Sequence, residues 1–304
     1  MKHLEIQDYA EKDYASFWKG DERRYFDDVE QIIVRKLLPS EADWFADLGC
    51  GFGRFKEAYV GRYRNVIMLD YSRSLLLEAK KSVQNPGSSR FYFVLADIYN
   101  LPFRDGSLDA ALMARVFHHL KEPDQALRQI RRILRPKGEL VFNYYNKRNL
   151  REILRSLLRK PGLDPFRVEH VNTGGDELLY YSHPAYIALT LQRLNFSIQR
   201  KLGVGIFFGG LFSKVYRPAV IEKLLSPVLG RYSLSALVFL KAVLQKEPPD
   251  LPVVNRGDAP FSEMLICPSC RASALEDRSD AMICSGCRAS FPVMDGIYDF
   301  RLPK

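Results

Sequence analysis

Short apolar runs alternate with amphipathic stretches over most of the chain, and that rhythm predicts the elements before any motif is considered. Residues 8 to 38 read as helical: Tyr14, Phe17 and Trp18 cluster ahead of Gly20, then Phe26, Val29, Ile32, Ile33, Leu37 and Leu38 recur at helical spacing until Pro39. Trp44 to Leu48 is an apolar strand with one acid, followed by glycines at 49, 51 and 53 and a helix-like segment from Arg54 to Val60. Strands are expected at Val66 to Asp70, Phe91 to Ala96, Ser107 to Ala114 and Glu139 to Tyr144. Helices start at Arg73 and after Pro123, the second carrying Ala126, Leu127, Ile130, Ile133 and Leu134 until Arg135-Pro-Lys-Gly138 breaks it. Asn149 to Lys160 is an amphipathic basic helix, with Leu150, Ile153, Leu154, Leu157 and Leu158 on one face and Arg151, Arg155 and Arg159 on another. Residues 161 to 181 lack regular pattern and read as a loop of the kind that shapes a substrate pocket. His183 to Leu194, Phe196 to Leu202, Phe212 to Leu229 and Leu234 to Leu244 then give helix, strand, helix, strand.

A chain of 304 residues accommodates one large domain and a small one. The Pro-rich stretch around Glu247-Pro-Pro-Asp-Leu-Pro marks a stiff linker, so the expected division is 1–245, a linker at 246–262, and an independent unit at 263–304. The start is polar and lacks the apolar core of a signal peptide, and no uncharged apolar run approaches the roughly 18 residues that span a bilayer. A soluble cytoplasmic protein is expected. The net charge of +9 is concentrated: residues 121 to 160 hold twelve Lys/Arg against four acids. Such a patch suits RNA phosphates, anionic lipid or an acidic substrate, and solvated helix faces are the plain alternative.

The glycine turn narrows the chemistry. Glycine lets the backbone bend sharply and a ligand come close, while N–H groups at a helix start favour an anion. The dinucleotide fingerprint needs a third glycine where Arg54 stands, with Gly53 one residue early. Asp47, at the strand end, suits a ligand carrying an ammonium and a carboxylate, such as the amino-acid end of S-adenosylmethionine. Asp70 ends the next strand about 20 residues on, where a carboxylate can accept from both hydroxyls of a ribose. Tyr71 is placed to lie against an adenine, and Ser72 either joins it or caps the following helix.

Asp47-Leu-Gly-Cys-Gly-Phe-Gly53 resembles motif I of the class I S-adenosylmethionine-dependent methyltransferases. The order Leu101-Pro-Phe103, Asp105-Gly106, His118-His-Leu120 and Ile133-Leu-Arg-Pro-Lys-Gly138 resembles the branch that includes ubiquinone-biosynthesis enzymes. The likeness covers roughly residues 44 to 145. It implies an α/β fold, a Rossmann-like seven-stranded sheet with helices on both faces and an antiparallel edge hairpin, with the cofactor over the carboxyl ends of the central strands. It implies cofactor contacts from Asp47, Gly49, Cys50, Gly51, Gly53, Asp70, Tyr71, Ser72 and Arg115, with Asp97 on the adenine amino group and Ile98 on the ring. An Asp97 that caps the turn ahead of Tyr99 is the alternative. Helices before the first strand cover the cleft in this fold, so Arg23, Arg24 or Tyr25 are placed to reach the cofactor or to pack.

Cys267-Pro-Ser-Cys270 and Cys284-Ser-Gly-Cys287 are two CxxC pairs thirteen residues apart. Four thiolates complete a closed tetrahedral zinc site, which a unit of about 40 residues needs in order to fold. Two disulfides are the rival, disfavoured in a cytoplasmic chain. The tail from Cys287 to Phe300 resembles the small zinc-ribbon proteins that bind and activate tRNA, rRNA and release-factor methyltransferases, here joined in cis. With five basic residues against six acids from 263 onward, the ribbon suits a stabilising or pocket-covering role. Cys50 fits its turn by size.

A methyltransferase positions two reactants and excludes water, and needs a base only where the acceptor must lose a proton. His118, His119 and Tyr144, with Asn143 and Asn146, are the candidates at the cleft mouth. Three functions compete: methylation of a small or lipid-like acceptor, methylation of tRNA, rRNA or a translation factor, and cofactor binding without catalysis.

Overall fold

The computed structural model describes residues 21–173, 178–205, 218–245, 258–271 and 275–302, of which 21–25 and 218–223 are described for the backbone alone. The Tyr14, Phe17 and Trp18 cluster, the side chains of Arg23, Arg24 and Tyr25, and the linker up to residue 257 lie outside the described residues.

Helix α1 (Asp21–Leu37) leads into β1 (Trp44–Leu48), β2 (Asn65–Asp70), α2 (Arg73–Ser82), β3 (Arg90–Leu95), β4 (Leu108–Met113), α3 (Pro123–Ile133) and β5 (Leu134–Asn146). Then follow α4 (Leu150–Leu157), β6 (His170–Asn172), β7 (Tyr180–Ser182), α5 (Pro184–Arg193), β8 (Phe196–Val204), α6 (Pro218–Tyr232) and β9 (Leu237–Leu244). β3, β2, β1, β4 and β5 lie side by side and parallel. β9 pairs antiparallel with β5 and β8 antiparallel with β9, the edge hairpin expected. β1 and β4 are buried throughout, as parallel strands covered on both faces must be. One core cluster packs Ala126, Leu127 and Ile130 of α3 against one face of the sheet, and the other packs Val29, Ile33 and Leu37 of α1 against the opposite face. This is the Rossmann-like methyltransferase fold.

Three expectations change. The segment from Arg54 to Val60 is not a regular α-helix: only Lys56–Ala58 forms a 3-10 turn, followed by an i→i−4 bond from Val60 N to Lys56 O at 2.8 Å, between Gly53 at φ +82° and Gly61 at φ +71°. The stretch 161 to 181 is not all loop, since β6 and β7 pair antiparallel and β7 extends the sheet beside the end of β5. Finally, the cysteine-bearing segment does not stand apart. Its strands β10 (Leu275–Asp277), β11 (Ala281–Cys284), β12 (Ser290–Met294) and β13 (Ile297–Asp299) form a meander whose last member pairs parallel with β3, so thirteen strands run as one sheet. The end of the expected linker is also docked: Phe261 is buried and stacks on Tyr92 at 4.3 Å. An exposed β3 edge would be an open template for pairing, and β13 covers it.

Among the described residues no helix is long and apolar enough to cross a membrane.

Candidate active site and cysteine cluster

The strand order reverses between β1 and β4, and a cavity of about 930 Å³, its open mouth included, lies over the carboxyl ends of β1, β2 and β4. Its floor is the glycine turn. Gly49 holds φ +78°, and a Cβ there would stand 2.2 Å from Val116 Cγ2, so no other residue fits. Two of the turn's N–H groups are directed at the neighbouring strand: Gly49 N and Cys50 N donate to Leu69 O at 2.7 and 2.9 Å. Gly51 N donates to Asp70 Oδ2 at 2.7 Å and Ser72 N to Asp70 Oδ1 at 2.9 Å, which locks the carboxylate at the cavity wall.

Of the residues expected to hold a cofactor, Gly49, Cys50, Gly51, Asp70, Tyr71, Ile98 and Arg115 line this cavity, as does His119. The others do not reach it. Asp47 is buried one layer below and accepts from Tyr59 Oη at 2.8 Å. Burial, with a smaller contribution from the charge of Asp70, pushes its pKa up to about 7 against the Tyr59 bond. Asp47 lies outside the cavity lining and is tied to Tyr59 behind the turn. Gly53 makes room for Met68 and α2, where a Cβ would meet Met68 Cε at 3.0 Å. Ser72 is buried, its hydroxyl bonded to Ser74 Oγ at 3.0 Å. Asp97 Oδ1 accepts from Tyr99 N at 2.8 Å, the turn-capping role weighed as its alternative.

The base candidates separate too. Tyr144 is 1% exposed within the core and its pKa is raised, mainly by burial, so it has no access to an acceptor. Asn146 is spent on Ser233 O and Ser235 O. His118 is buried, lies outside the cavity lining, and is held neutral by burial and by the neighbouring His119 and Arg115. His119 alone of these faces the cavity. Its Nδ1 lies 2.7 Å from Leu178 O, and because a carbonyl only accepts, the proton is assigned to Nδ1 and the basic atom is Nε2. Burial, then the charges of Asp70 and Asp47, raises the Cys50 pKa well above the usual thiol range, in keeping with a packing role.

One constellation was not foreseen. Glu30 of α1, fully buried, accepts from Arg54 Nη1 at 2.8 Å and from Arg115 through both oxygens. Burial alone would raise the Glu30 pKa, but the Arg115 and Arg54 guanidiniums outweigh it and hold the carboxyl below its ordinary range. Arg115 has φ +63°, a left-handed conformation kept by its N–H bond to Asn143 Oδ1 at 2.6 Å and by Tyr145 Oη, which accepts from its Nη1 at 2.8 Å. Arg54 and Arg115 thus line the same cavity as Asp70, with Glu30 and Asp27, which accepts from Arg54 Nε at 2.7 Å, as their counter-ions. The signal was an acid, Glu30, on the buried face of α1 beside Val29, Ile33 and Val34, where a partner cation is required.

The four cysteines meet at the end of β11, which Cys284 closes. Their Sγ atoms lie within 4.8 Å of one another, with Cys267 to Cys287 and Cys270 to Cys284 both 3.6 Å apart. Tetrahedral Zn–S bonds of about 2.3 Å put sulfurs about 3.8 Å apart, so the cage fits a zinc ion. Each CxxC turn is closed the same way: Arg271 N donates to Cys267 O and Arg288 N to Cys284 O, and both arginines hold φ +62°.

Comparison with known proteins matches both parts. Residues 46–142 fit the family model of a methyltransferase domain, and residues 258–296 that of Trm112p-like proteins. An uncharacterised chloroplastic methyltransferase of Arabidopsis thaliana is 36% identical over 121 residues, 38% of this chain and 34% of its own. The malonyl-[acyl-carrier protein] O-methyltransferase of a Methylovorus strain is 33% identical over 131 residues, 41% of this chain and 43% of its own. The chain thus spans about a third to two fifths of the length of these relatives. Among solved structures, the complex of the Haloferax volcanii Trm112 methyltransferase activator with a candidate methyltransferase superposes with TM-score 0.52 at 18% identity, covering 78% of this chain and 96% of that one.

Proposed function

We propose that this chain transfers a methyl group from S-adenosylmethionine to a small-molecule or lipid-like acceptor, with zinc in the four-cysteine cage as a structural element. The observation that carries the reading is the lining of one cavity, which brings together an oriented carboxylate, Asp70, and the side chains of Arg54 and Arg115. A ribose diol suits the first and an amino-acid carboxylate the second. Tyr71 and Ile98 offer flat and apolar surface for a purine. Bound there, S-adenosylmethionine would supply a methyl group already activated by its sulfonium charge. The protein's part is to hold the two reactants in line, to exclude water, and, for an acceptor that must lose a proton, to take it at His119 Nε2. Limits at 1–245 and 263–304 for two units that share one sheet through β13, with residues 246–262 joining them, belong to the same reading, as does a cytoplasmic location.

The Methylovorus relative, whose named acceptor is a malonyl group, favours a small acceptor. A second reading, modification of tRNA, rRNA or a translation factor, is favoured by the Trm112p-like segment. Incubation with labelled S-adenosylmethionine and either extracted lipids and metabolites or total RNA separates them: label in the first fraction supports the proposal, and label confined to RNA or protein replaces it with the second reading.

A further inference from the structure

Helix α4 turns its apolar stripe to solvent. Leu154, Leu157 and Leu158 are 51%, 68% and 66% exposed, Leu150 is exposed as well, and no residue of the helix is buried. Phe166 and Val168, on the loop that follows, are also exposed. An eight-residue helix with this pattern ordinarily puts its leucines against the core. Here the contacts that fix it are polar and lie at its base: Asn149 Oδ1 caps Glu152 N, Leu150 N donates to Leu234 O just after α6, and Lys147 N donates to Ser182 O of β7. α6 ends against this base and carries exposed Leu224, Val228 and Tyr232 four residues apart, a second apolar stripe.

The rim of the leucine face is cationic. Residues 148 to 160 contain Arg148, Arg151, Arg155, Arg159 and Lys160 against one acid, while Arg167 is paired with Glu169 at 2.9 Å. Glu152 is already engaged by Arg155 and Leu163 N. Leucines flanked by arginines match the boundary of an anionic bilayer, where acyl chains take the first and headgroup phosphates the second. RNA would use the arginines, and exposed Phe166 offers a ring for one base, but the leucines of α4 would be left in water. The base of α4 is linked to the cavity wall through a short run of contacts. Tyr145, bonded to Arg115 at the cavity wall, stacks at 5.3 Å on Tyr181, one residue from the Ser182 carbonyl that pins the base of α4.

We propose that α4 and its following loop dock this protein on the surface of a membrane containing anionic lipid. The proposal stands on the exposed face and not on the identity of the methyl acceptor. Its test is co-sedimentation of the full chain with phosphatidylcholine vesicles prepared with and without phosphatidylglycerol, with S-adenosylmethionine affinity measured in parallel by calorimetry. The chain is expected to pellet with the anionic vesicles, to release in high salt, and to lose about fivefold in affinity for each of Arg151→Gln and Arg159→Gln. Leu154→Glu with Leu157→Glu is expected to abolish pelleting while the melting temperature holds, since both side chains are exposed. Because arginine and leucine variants are tested separately, misfolding of one leaves the other decisive. Failure to pellet, equal binding to both vesicle types, or leucine variants that still bind would overturn docking. So would a homopolymer RNA binding tightly and losing affinity only with the arginine variants. Cofactor affinity that survives any of these outcomes leaves the proposed reaction standing.

Discussion

The Arg301 guanidinium lies 5.7 Å from the centre of the Tyr71 ring, and its Nη1 donates to Tyr71 O at 3.3 Å. Asp299 holds the arm from below, accepting from Arg301 Nη2 at 2.6 Å. Tyr71 lines the cavity and Arg301 follows β13, so the cysteine-bearing segment braces a wall of the proposed cofactor site. On the other edge of that wall, Asn100 Nδ2 donates to Pro268 O, tying the loop that carries Ile98 and Tyr99 to the first CxxC turn. Arg301→Ala is expected to weaken S-adenosylmethionine binding about two- to fivefold, as loss of a partly exposed cation–π contact does. Calorimetry checks the affinity while elemental analysis confirms unchanged metal content, and an unchanged affinity would mean the brace does not reach the ligand.

Asp70→Asn keeps the shape and removes the charge. With a hydrogen bond to a charged group worth about 1.5–3 kcal/mol, affinity for the cofactor should fall roughly ten- to a hundredfold. Titration of the purified variant tests this, and an unaltered dissociation constant would remove Asp70 from the site.

Glu30→Ala removes the carboxylate shared by two guanidiniums, leaving Arg54 with Asp27. Removing one member of a buried ion pair destabilises by about 3–5 kcal/mol, and denaturant unfolding should register that loss together with weaker cofactor binding. Glu30→Gln should retain part of both. A near-neutral Glu30→Ala would mean water already screens the cluster.

Asp47 sets a pH dependence opposite to the usual carboxylate. Its folded pKa, about 7, exceeds the ordinary 3.8, so the folded chain holds the proton more tightly than the unfolded one. The contribution is fully present below the ordinary value and is lost as pH rises from there through about 7. Asp47→Asn should therefore gain on the wild type between pH 5 and pH 8, by roughly 1–3 kcal/mol at the upper end. Paired melting curves at the two pH values measure it, and a variant equally destabilised at both would assign Asp47 a charged role.

Chelation, or Cys284→Ser, should release one zinc per chain and unpair the meander, exposing the β3 edge. Elemental analysis with light scattering follows both events. Less than one zinc per native chain would defeat the metal assignment.

What was legible in the sequence was local. Gly49, Gly51 and Asp70 announce a turn and an acid within one strand–turn–strand unit, and the two CxxC pairs announce a cage by spacing alone. What was not legible depends on distant partners: Glu30 meets Arg54 across 24 positions and Arg115 across 85, and no pattern within either neighbourhood names the other. The pairing of β13 with β3 is equally silent, since edge strands carry no mark of the strand they accept. Asp47 was misplaced for a related reason. Its position at a strand end suggested a ligand, whereas Tyr59, twelve residues on and across the 3-10 turn, takes its carboxylate into the core.

The most direct test is a crystal of the protein soaked with S-adenosylmethionine. The account predicts one molecule per chain in the cavity over β1, β2 and β4, its ribose on Asp70 and its carboxylate toward Arg54 and Arg115. A molecule lodged elsewhere, or a cavity that takes up a nicotinamide dinucleotide instead, would contradict it.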